Sequence, residues 1–454
     1  MAAAGWNGAQ RALMREFLFN AGWILGLRLA NVPLQFVLFV MITWHYSLAQ
    51  VGTYALFNAA WFIARQLGPL GMEQSSLRFI PALLASGKDD QARWFEHRAR
   101  QLVFVVLGAI AVAAGFLIFV LDISRLTGVS GPQFAIGLAA LPGYALVALM
   151  AGQFRARGRI RAGQWPDSIL VPLTAMLVIQ AAQTTGLTSL FWLLAAHSAA
   201  IWCAAGAYWL LSRGHLSGRL ARPAADQIRD IRRTSLTIAL GGGVSVLASR
   251  LPLIFVSAIL GNAATGLYEA AQRIGALGTL GTWAAGAAVS PMLSEAHARN
   301  QKRRLQDLLI ASSWTALLPA LIIFLGLIPG GSLVLYLFGP DYPAAHGALV
   351  ALAGFAAINA SAGLTSNTFN MTGHETIVLR FNGAQLLAIL IMAPPLIHLA
   401  GITGAGLAVL IAAILRDVSM GFLLPGKLGL APGVWSRLGA GRAFGFALAK
   451  VSGR

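Results

Sequence analysis

The chain is short of charge, and especially of negative charge. Only 11% of its 454 residues are charged, and 15 acidic residues stand against 33 basic ones. Soluble domains carry about 25% charged residues, so a water-soluble globule of this length would expose large apolar patches and aggregate. A single cysteine, Cys203, excludes an internal disulfide and a cysteine metal centre, and the eight histidines are scattered without zinc-ligand spacing. These scarcities exclude an ordinary soluble domain.

Apolar sequence is what the chain has in abundance. Hydrophobic residues make up 57% of it, and the mean hydropathy is +0.71. Apolar runs of about 20 residues, the length that crosses a bilayer as a helix, recur along the chain. The sequence therefore predicts an all-α integral membrane protein of about 12 transmembrane helices. The predicted spans are 17–44, 48–72, 101–121, 133–153, 166–186, 190–211, 234–260, 263–293, 308–328, 344–371, 381–400 and 404–424.

Basic residues predict the orientation of these spans. With the N-terminus inside, most of the 33 basic residues fall in the inner segments, whereas the outer loops contain Arg125 alone. This asymmetry follows the positive-inside rule and places both termini in the cytoplasm. The net charge of +18 is therefore interpreted as charge at the cytoplasmic membrane face. Because the spans leave no soluble domain to carry a nucleic-acid-binding patch, no nucleic-acid partner is expected.

The long basic loop 212–233 divides the chain into two halves of six spans. Gly52-Thr53-Tyr54 matches Gly266-Leu267-Tyr268, and Phe154–Gly158 matches Phe369–Gly373 at nearly the same offset. An even number of spans in each half predicts parallel repeats, related by an axis along the membrane normal, that rock in alternating access. The predicted segments are an N-terminal segment 1–16, a lobe 17–211, a linker 212–233, a lobe 234–424 and a basic cytoplasmic tail 425–454.

Four arginines inside the spans are the strongest functional signal, because charge within a membrane is costly and usually functional. Arg28 lies in the first span, with Asn31 three residues later, and Arg250 lies in the seventh. Arg65 and Arg273 follow in the second and eighth spans. We expect the four to converge on a central cavity between the lobes, lined by these leading spans, where the planar guanidinium suits phosphate. The candidate substrate-binding residues are Arg28, Asn31, Arg65, Arg250 and Arg273.

Structural roles compete with this interpretation. Arg273 follows Glu269 by four residues and can pair with it along one helix face, and Arg65 can extend to the inner interface. Arg416 and Asp417 are adjacent and point in different directions on a helix, so we expect their partners on other spans. Glu269 and Asp417 are the candidates for coupling to H⁺ or Na⁺. Polar amides within the spans that can line a path or join helices are Asn58, Gln272, Asn359, Asn367 and Asn370.

The twelve-span layout, the two Gly-x-Tyr segments and Phe338-Gly339-Pro340-Asp341-Tyr342 resemble the multidrug/oligosaccharidyl-lipid/polysaccharide (MOP) exporter superfamily over about 10–425. Within it the chain is most similar to the Wzx-type polysaccharide flippases. The resemblance implies a MATE-like V-shaped pair of lobes and transfer of undecaprenyl-pyrophosphate-linked oligosaccharide, as for O-antigen or exopolysaccharide, to the periplasmic leaflet of the inner membrane. It maps the cationic cavity residues of that branch onto Arg28 and Arg250. Glycosyltransferases and a glycan polymerase of one pathway are the partners it implies.

Three other functions remain open. A cation-coupled multidrug exporter has the same architecture, although Arg28 and Arg250 would repel cationic drugs. A glycan polymerase or ligase needs a sizeable outer loop, whereas the longest predicted one is 329–343. A membrane scaffold does not need central arginines. With no nucleotide-binding loop in the sequence, we expect a transporter that is not an enzyme and has no cofactor beyond a coupling ion.

Overall fold

The computed structural model describes residues 8–120, 129–362, 364–431 and 433–434. The segment with Arg125 and most of the predicted tail, 435–454, lie outside this range. The described residues form helices and turns and no strand, which confirms the predicted all-α class. The helices are α1 Gly8–His45, α2 Leu48–Leu67, α3 Met72–Ala85, α4 Asp89–Val120, α5 Gly131–Ala156, α6 Val171–Thr184, α7 Leu190–Leu216, α8 Ala225–Leu260, α9 Asn262–Ala276, α10 Leu280–Ala298, α11 Lys302–Tyr336, α12 His346–Ser361, α13 Thr365–Met371 and α14 Glu375–Leu428.

Eight helical segments of the described chain are long and apolar enough to cross a membrane, which makes this a multi-pass membrane protein. They include α4, α5, α7, α8, α11 and α14, together with α6 and α12 and the short turns that precede them. On α4, Val112 and Phe116 are 74% and 68% exposed, as expected of side chains that face lipid. The 54 residues of α14 contain non-helical backbone at Ala400 and Gly401, so this element contains both of the last two predicted spans.

Helix boundaries follow local sequence signals. At the start of α5, the Ser130 backbone N–H donates to the Gln133 side chain at 2.9 Å in a capping box. Between α8 and α9, Gly261 has φ = +85°, and Gly429 ends α14 with φ = +66°. Both positions need the left-handed backbone that glycine adopts without strain.

The polar segment between the second and third predicted spans is helical, which the charge pattern did not reveal. Within the predicted span 48–72, helix α2 ends at Leu67. A turn with left-handed backbone at Leu70 and Gly71 then leads into α3. Helix α4 then begins at Asp89, twelve residues before its predicted span. Charge keeps such residues out of lipid without preventing them from forming a helix, so hydropathy located the membrane segment and missed the helix around it.

Two other predicted spans are interrupted. The span 263–293 consists of α9 and α10, separated by a 3₁₀ turn at Leu277–Thr279. The span 344–371 contains a 3₁₀ turn, α12 and α13. At the first interruption, a Cβ on Gly278 would lie 2.8 Å from the Ala356 Cβ. Small residues thus let the chain pack closely there, as membrane helices require.

The chain forms two compact units. The first contains residues up to Tyr46 and Phe57–Gly243, and the second contains Ser47–Leu56 and residues from Val244 onward. The predicted linker 212–233 lies in the first unit, where 217–224 is the irregular part between α7 and α8. This loop is fastened to α4, since the Ala221 N–H donates to the Asp90 carbonyl at 3.2 Å and Arg93 Nε donates to the Arg219 carbonyl at 3.3 Å.

Candidate functional site

A buried ion pair on α9 is the centre of the site in the second unit. The Glu269 side chain is 3% exposed and accepts a bond from Arg273 Nε at 2.8 Å. The pair is the one that the four-residue spacing allows, because residues i and i+4 share a helix face. Arg273 also donates to the Tyr54 hydroxyl. Its guanidinium is therefore held by two groups from two different helices.

Tyr54 reaches this pair because α2 and α9 approach each other through glycine. A Cβ on Gly52 would overlap the backbone carbonyl of Asn262, and a Cβ on Gly266 would lie 2.7 Å from the Leu48 carbonyl oxygen. Only residues without a side chain permit this backbone separation. The repeated Gly-x-Tyr segments that suggested a duplication are thus packed against each other within the second unit.

Arg250 on α8 extends this group. It interacts electrostatically with Glu269, Arg273 and Tyr268. Gln272 Nε2 donates to the Ser249 carbonyl at 3.3 Å, which ties α9 to the backbone beside Arg250. Two guanidinium groups therefore interact with the carboxylate of Glu269, and the three side chains Arg250, Glu269 and Arg273 together carry one net positive charge.

A second ionic group lies in the first unit. Arg65 on α2 binds Asp167 through both terminal nitrogens, at 2.6 and 2.5 Å. Asp167 belongs to a π-helical turn, Pro166–Leu170, that precedes α6, and Asn31 Nδ2 on α1 donates to the Ser168 carbonyl at 2.5 Å in the same turn. Two of the predicted site residues, Asn31 and Arg65, therefore meet at one turn, which hydropathy had marked only as the start of a span.

The group in the first unit is balanced in charge, unlike the group in the second. Arg155 Nη2 donates to Glu73 Oε1 at 2.6 Å, and Glu73 also interacts electrostatically with Arg65. Each of the two guanidinium groups thus has a carboxylate of its own. Arg65 was expected to extend toward the inner interface or to bind an anion, and its observed partner is Asp167.

The role of Arg28 and the predicted central cavity both stay predictions. The backbone of Arg28 lies in α1, and its side chain is outside the part of the chain that the structure describes. Arg65 and Asn31 belong to the first unit, whereas Arg250 and Arg273 belong to the second. The convergence of the four arginines on one cavity therefore stays a prediction.

Asp417 forms a third ionic group, within the second unit, and here the sequence prediction was wrong in one respect. Arg416 and Asp417 were expected not to pair, yet Arg416 Nε and Nη2 lie 2.7 and 2.6 Å from Asp417 Oδ1. The arginine side chain is long enough to reach round the helix, which Cα directions alone do not show. Partners from other segments are also present: Gln385 accepts from Arg416 Nη1 at 2.9 Å, and Asn359 donates to Asp417 Oδ2 at 3.3 Å.

Sequence reasoning missed Asp167, Tyr54 and Gln385 as partners of the predicted residues. Asp167 was detectable, because a chain with 15 acidic residues has few carboxylates beside its spans, and a buried arginine needs one. Tyr54 was noticed as part of a repeat rather than as a hydrogen-bond acceptor. Among the described residues, no group of three or more His, Cys, Asp or Glu side chains has the arrangement of a metal site.

Solved structures that match this chain include three transporters. A multidrug-resistance MATE family transporter of the MOP superfamily, inward-facing, matches with a TM-score of 0.74 at 13% identity, over 89% of this chain and 98% of the other. The lipid II flippase MurJ, inward closed, matches with a TM-score of 0.71 at 13% identity, over 90% and 87%. A MOP superfamily transporter from Pyrococcus furiosus, described as having a binding pocket of reverse polarity, matches with a TM-score of 0.64 at 15% identity, over 90% and 95%.

No protein-family model and no curated protein matches the sequence. The structural matches nevertheless cover most of this chain and most of each matched chain. The chain therefore has the fold of the MOP superfamily transporters. The fold class that the sequence resemblance implied is therefore confirmed.

The Arg65–Asp167 pair gives a direct prediction about stability. An Arg65→Ala variant leaves the Asp167 carboxylate, 24% exposed, without its guanidinium, and breaking such a pair costs about 3–5 kcal/mol when fully buried and less at this exposure. We expect a lower melting temperature for the purified protein, and recovery of most of it in Arg65→Leu/Asp167→Leu, which removes both charges. If the double variant were less stable than Arg65→Ala, loss of the Arg65–Asp167 ion pair would not explain the lower melting temperature of Arg65→Ala.

Proposed function

We propose that this protein is an inner-membrane flippase that moves an undecaprenyl-pyrophosphate-linked oligosaccharide from the cytoplasmic to the periplasmic leaflet by alternating access. The observation that carries the proposal is the excess of positive charge around Arg250, Glu269 and Arg273. The fold, shared with a lipid II flippase, supports a lipid-linked substrate. Both termini lie in the cytoplasm in this proposal, as the distribution of basic residues predicts.

The pyrophosphate brings negative charge to these positively charged side chains. In the proposal Arg250 binds a phosphate through its planar fork, which is suited to bidentate contact, and Arg28 stays the second candidate for a phosphate contact. Glu269 and Tyr54 hold Arg273 in place beside Arg250. Arg65 and Asn31, which contact the Pro166–Leu170 turn, position that turn in the proposal.

Ion coupling is part of the proposal. H⁺ or Na⁺ drives the cycle, with Glu269, which accepts a hydrogen bond from Arg273, as the coupling carboxylate. Asp417, the other carboxylate that the sequence singled out, has the Arg416 guanidinium beside it, which disfavours a second cation there. When a phosphate competes for Arg273, the Glu269 carboxylate is released to bind the ion, which links substrate and ion at one place. Glycosyltransferases that supply the lipid-linked glycan and a polymerase that consumes it are the proposed partners.

A cation-coupled multidrug exporter is the second candidate, because a multidrug-resistance MATE transporter is among the structural matches. The two functions differ in the charge of the substrate. Two guanidinium groups around one carboxylate attract an anion and repel a cationic drug, so the ionic group of the second unit favours the flippase.

Binding of the lipid carrier tests the proposal. We expect the purified protein to bind undecaprenyl pyrophosphate in native mass spectrometry far better than undecaprenol. Arg250→Ala should weaken this binding about tenfold or more, because a hydrogen bond between charged groups contributes about 1.5–3 kcal/mol. Arg250→Lys keeps the charge without the fork, so its binding should be intermediate.

The matched control is Arg299→Ala, which removes an arginine whose side chain is 64% exposed and paired with Glu295. It should bind the carrier as the wild type does. In cells that lack the chromosomal copy, Arg250→Ala should leave lipid-linked glycan in the cytoplasmic leaflet at normal membrane abundance of the protein. Equal binding of undecaprenol and undecaprenyl pyrophosphate, or preferential binding of a cationic drug, would refute the proposal.

A further inference from the structure

The second unit contains a cavity that plays no part in the proposed transport site. Its volume is about 190 Å³, and it lies between the end of α12 and the second half of α14. An apolar cavity of about 150 Å³ holds a benzene molecule, so this one has room for a ring or for a short length of hydrocarbon chain. The residues that line it are Ile358, Ser361, Ala362, Asp417, Val418, Gly421 and Phe422.

The walls of the cavity are mainly apolar and continue to the surface of the unit. Phe422 is 76% exposed and Val418 is 41% exposed, and both are on α14, a helix apolar enough to cross the membrane. A hydrocarbon chain in the cavity can therefore continue along this apolar face without entering water. Gly421, which carries no side chain, is one of the lining residues.

The polar end of the cavity is formed by hydrogen-bond acceptors. Asp417 is 2% exposed, and its Oδ1 accepts the two short bonds from Arg416 described above. Its Oδ2 accepts a longer bond, 3.3 Å, from Asn359, and a carboxylate oxygen has room for a second donor. The Ser361 hydroxyl donates to the Ile358 carbonyl at 2.8 Å, which leaves its oxygen as an acceptor. A ligand that forms hydrogen bonds with Asp417 Oδ2 and with the Ser361 hydroxyl oxygen must therefore supply a donor group.

Charge decides which kind of donor fits. Arg416 already neutralises Asp417, and its remaining terminal nitrogen is directed to Gln385 at 2.9 Å. An ammonium group placed at Asp417 would lie close to the Arg416 guanidinium and be repelled. An uncharged hydroxyl has no such cost, and a hydrogen bond to a charged acceptor is stronger than one between neutral groups.

We propose that this cavity binds the hydroxyl-bearing end of an uncharged amphiphile. The hydroxyl donates to Asp417 Oδ2, and the hydrocarbon chain lies between α12 and α14 against Val418 and Phe422. The proposal is independent of the transported substrate, because none of these residues belongs to the ionic group of Arg250, Glu269 and Arg273.

Photolabelling of the full-length protein in nanodiscs tests this site. The probes are a diazirine-bearing dodecanol and matched chains that end in a methyl group or in trimethylammonium. We expect the alcohol to label the peptide that contains Asp417 and Phe422 about tenfold more than the methyl-ended chain, which corresponds to one hydrogen bond to a charged acceptor. Unlabelled dodecanol should compete with this labelling in the wild type.

Two variants of α14 distinguish binding in the cavity from binding along the rest of the apolar face. Gly421→Leu fills the cavity, keeps Arg416 and Asp417, and should abolish the preference for the alcohol. Gly426→Leu is the matched control, since a Cβ at Gly426 meets no atom within 4 Å, and it should label as the wild type does. Equal labelling by the three probes would overturn the proposal, and strongest labelling by the ammonium chain would replace it with a cation site at Asp417.

Discussion

A Gly52→Ala variant is expected to be strongly destabilised by the addition of a single methyl group. The Cβ of alanine would overlap the Asn262 backbone carbonyl, and a backbone atom cannot move aside as a flexible side chain does. The two helices must therefore separate, which weakens the contact between Gly52 and Gly266 and the bond from Arg273 to Tyr54. Overpacking costs about 1–3 kcal/mol and occasionally more, and we expect the upper end of this range.

The measurement is thermal unfolding of the purified protein, followed by tryptophan fluorescence, together with its abundance in the membrane. Gly326→Ala is the matched control: it lies within α11 in the same unit, and its Cβ would meet no atom within 4 Å. Alanine is favoured over glycine by about 0.5–1 kcal/mol within a helix, so this control should be as stable as the wild type or slightly more so. A Gly52→Ala protein with wild-type melting behaviour would contradict the close approach of α2 and α9.

Arg157→Ala is expected to be the most destabilising of the arginine substitutions among the described ion pairs. Arg157 donates to both oxygens of Glu96, at 2.7 and 3.0 Å, and to Asp89 at 3.0 Å. The Glu96 side chain is completely buried, so the variant leaves a carboxylate without its partner in a place that water cannot reach. Breaking a buried pair in this way costs about 3–5 kcal/mol.

The double variant Arg157→Leu/Glu96→Leu identifies the cause. Replacing a buried pair with apolar residues of similar volume is often neutral, so the melting temperature should recover toward that of the wild type. Arg98→Ala serves as the control, because Arg98 is exposed and donates to Gln101 on the same helix at 3.2 Å. Equal losses in Arg98→Ala and Arg157→Ala would show that burial of Glu96 is not responsible.

The parts of the fold that depend on lipid were predictable from the sequence, and those that depend on polar packing were not. Apolar runs located the membrane segments because each must satisfy its backbone as a helix. The same signal is blind to α3 and to the polar first turns of α4, because nothing in hydropathy distinguishes a polar helix from a loop. It also missed the break at Leu277–Thr279, where close packing rather than composition interrupts the helix.

The candidate site was also predictable only in part: the cost of charge in lipid indicated the arginines, whereas most of their partners depend on polar packing. The cost of charge in lipid singled out Arg65, Arg250 and Arg273 without any structure, and the four-residue spacing indicated the partner of Arg273. Asp167 was missed because it is remote in sequence from Arg65, and only the folded π-helical turn brings them together. The Arg416–Asp417 pair was not predicted, because the directions of adjacent Cα–Cβ bonds on a helix do not show how far an arginine side chain can reach.

The assignment of Ser47–Leu56 to the second unit determines where chimeras of this protein can be joined. The loop 217–224 is the obvious junction, since it connects the two halves of the sequence. A chimera cut there separates Gly52 and Tyr54 from the α9 residues that they contact, so the guanidinium of Arg273 would face whichever residue the donor protein carries at position 54. Exchange of intact modules therefore requires ten residues of the first half to be transferred with the second, a discontinuous graft that an alignment of the two halves would not suggest.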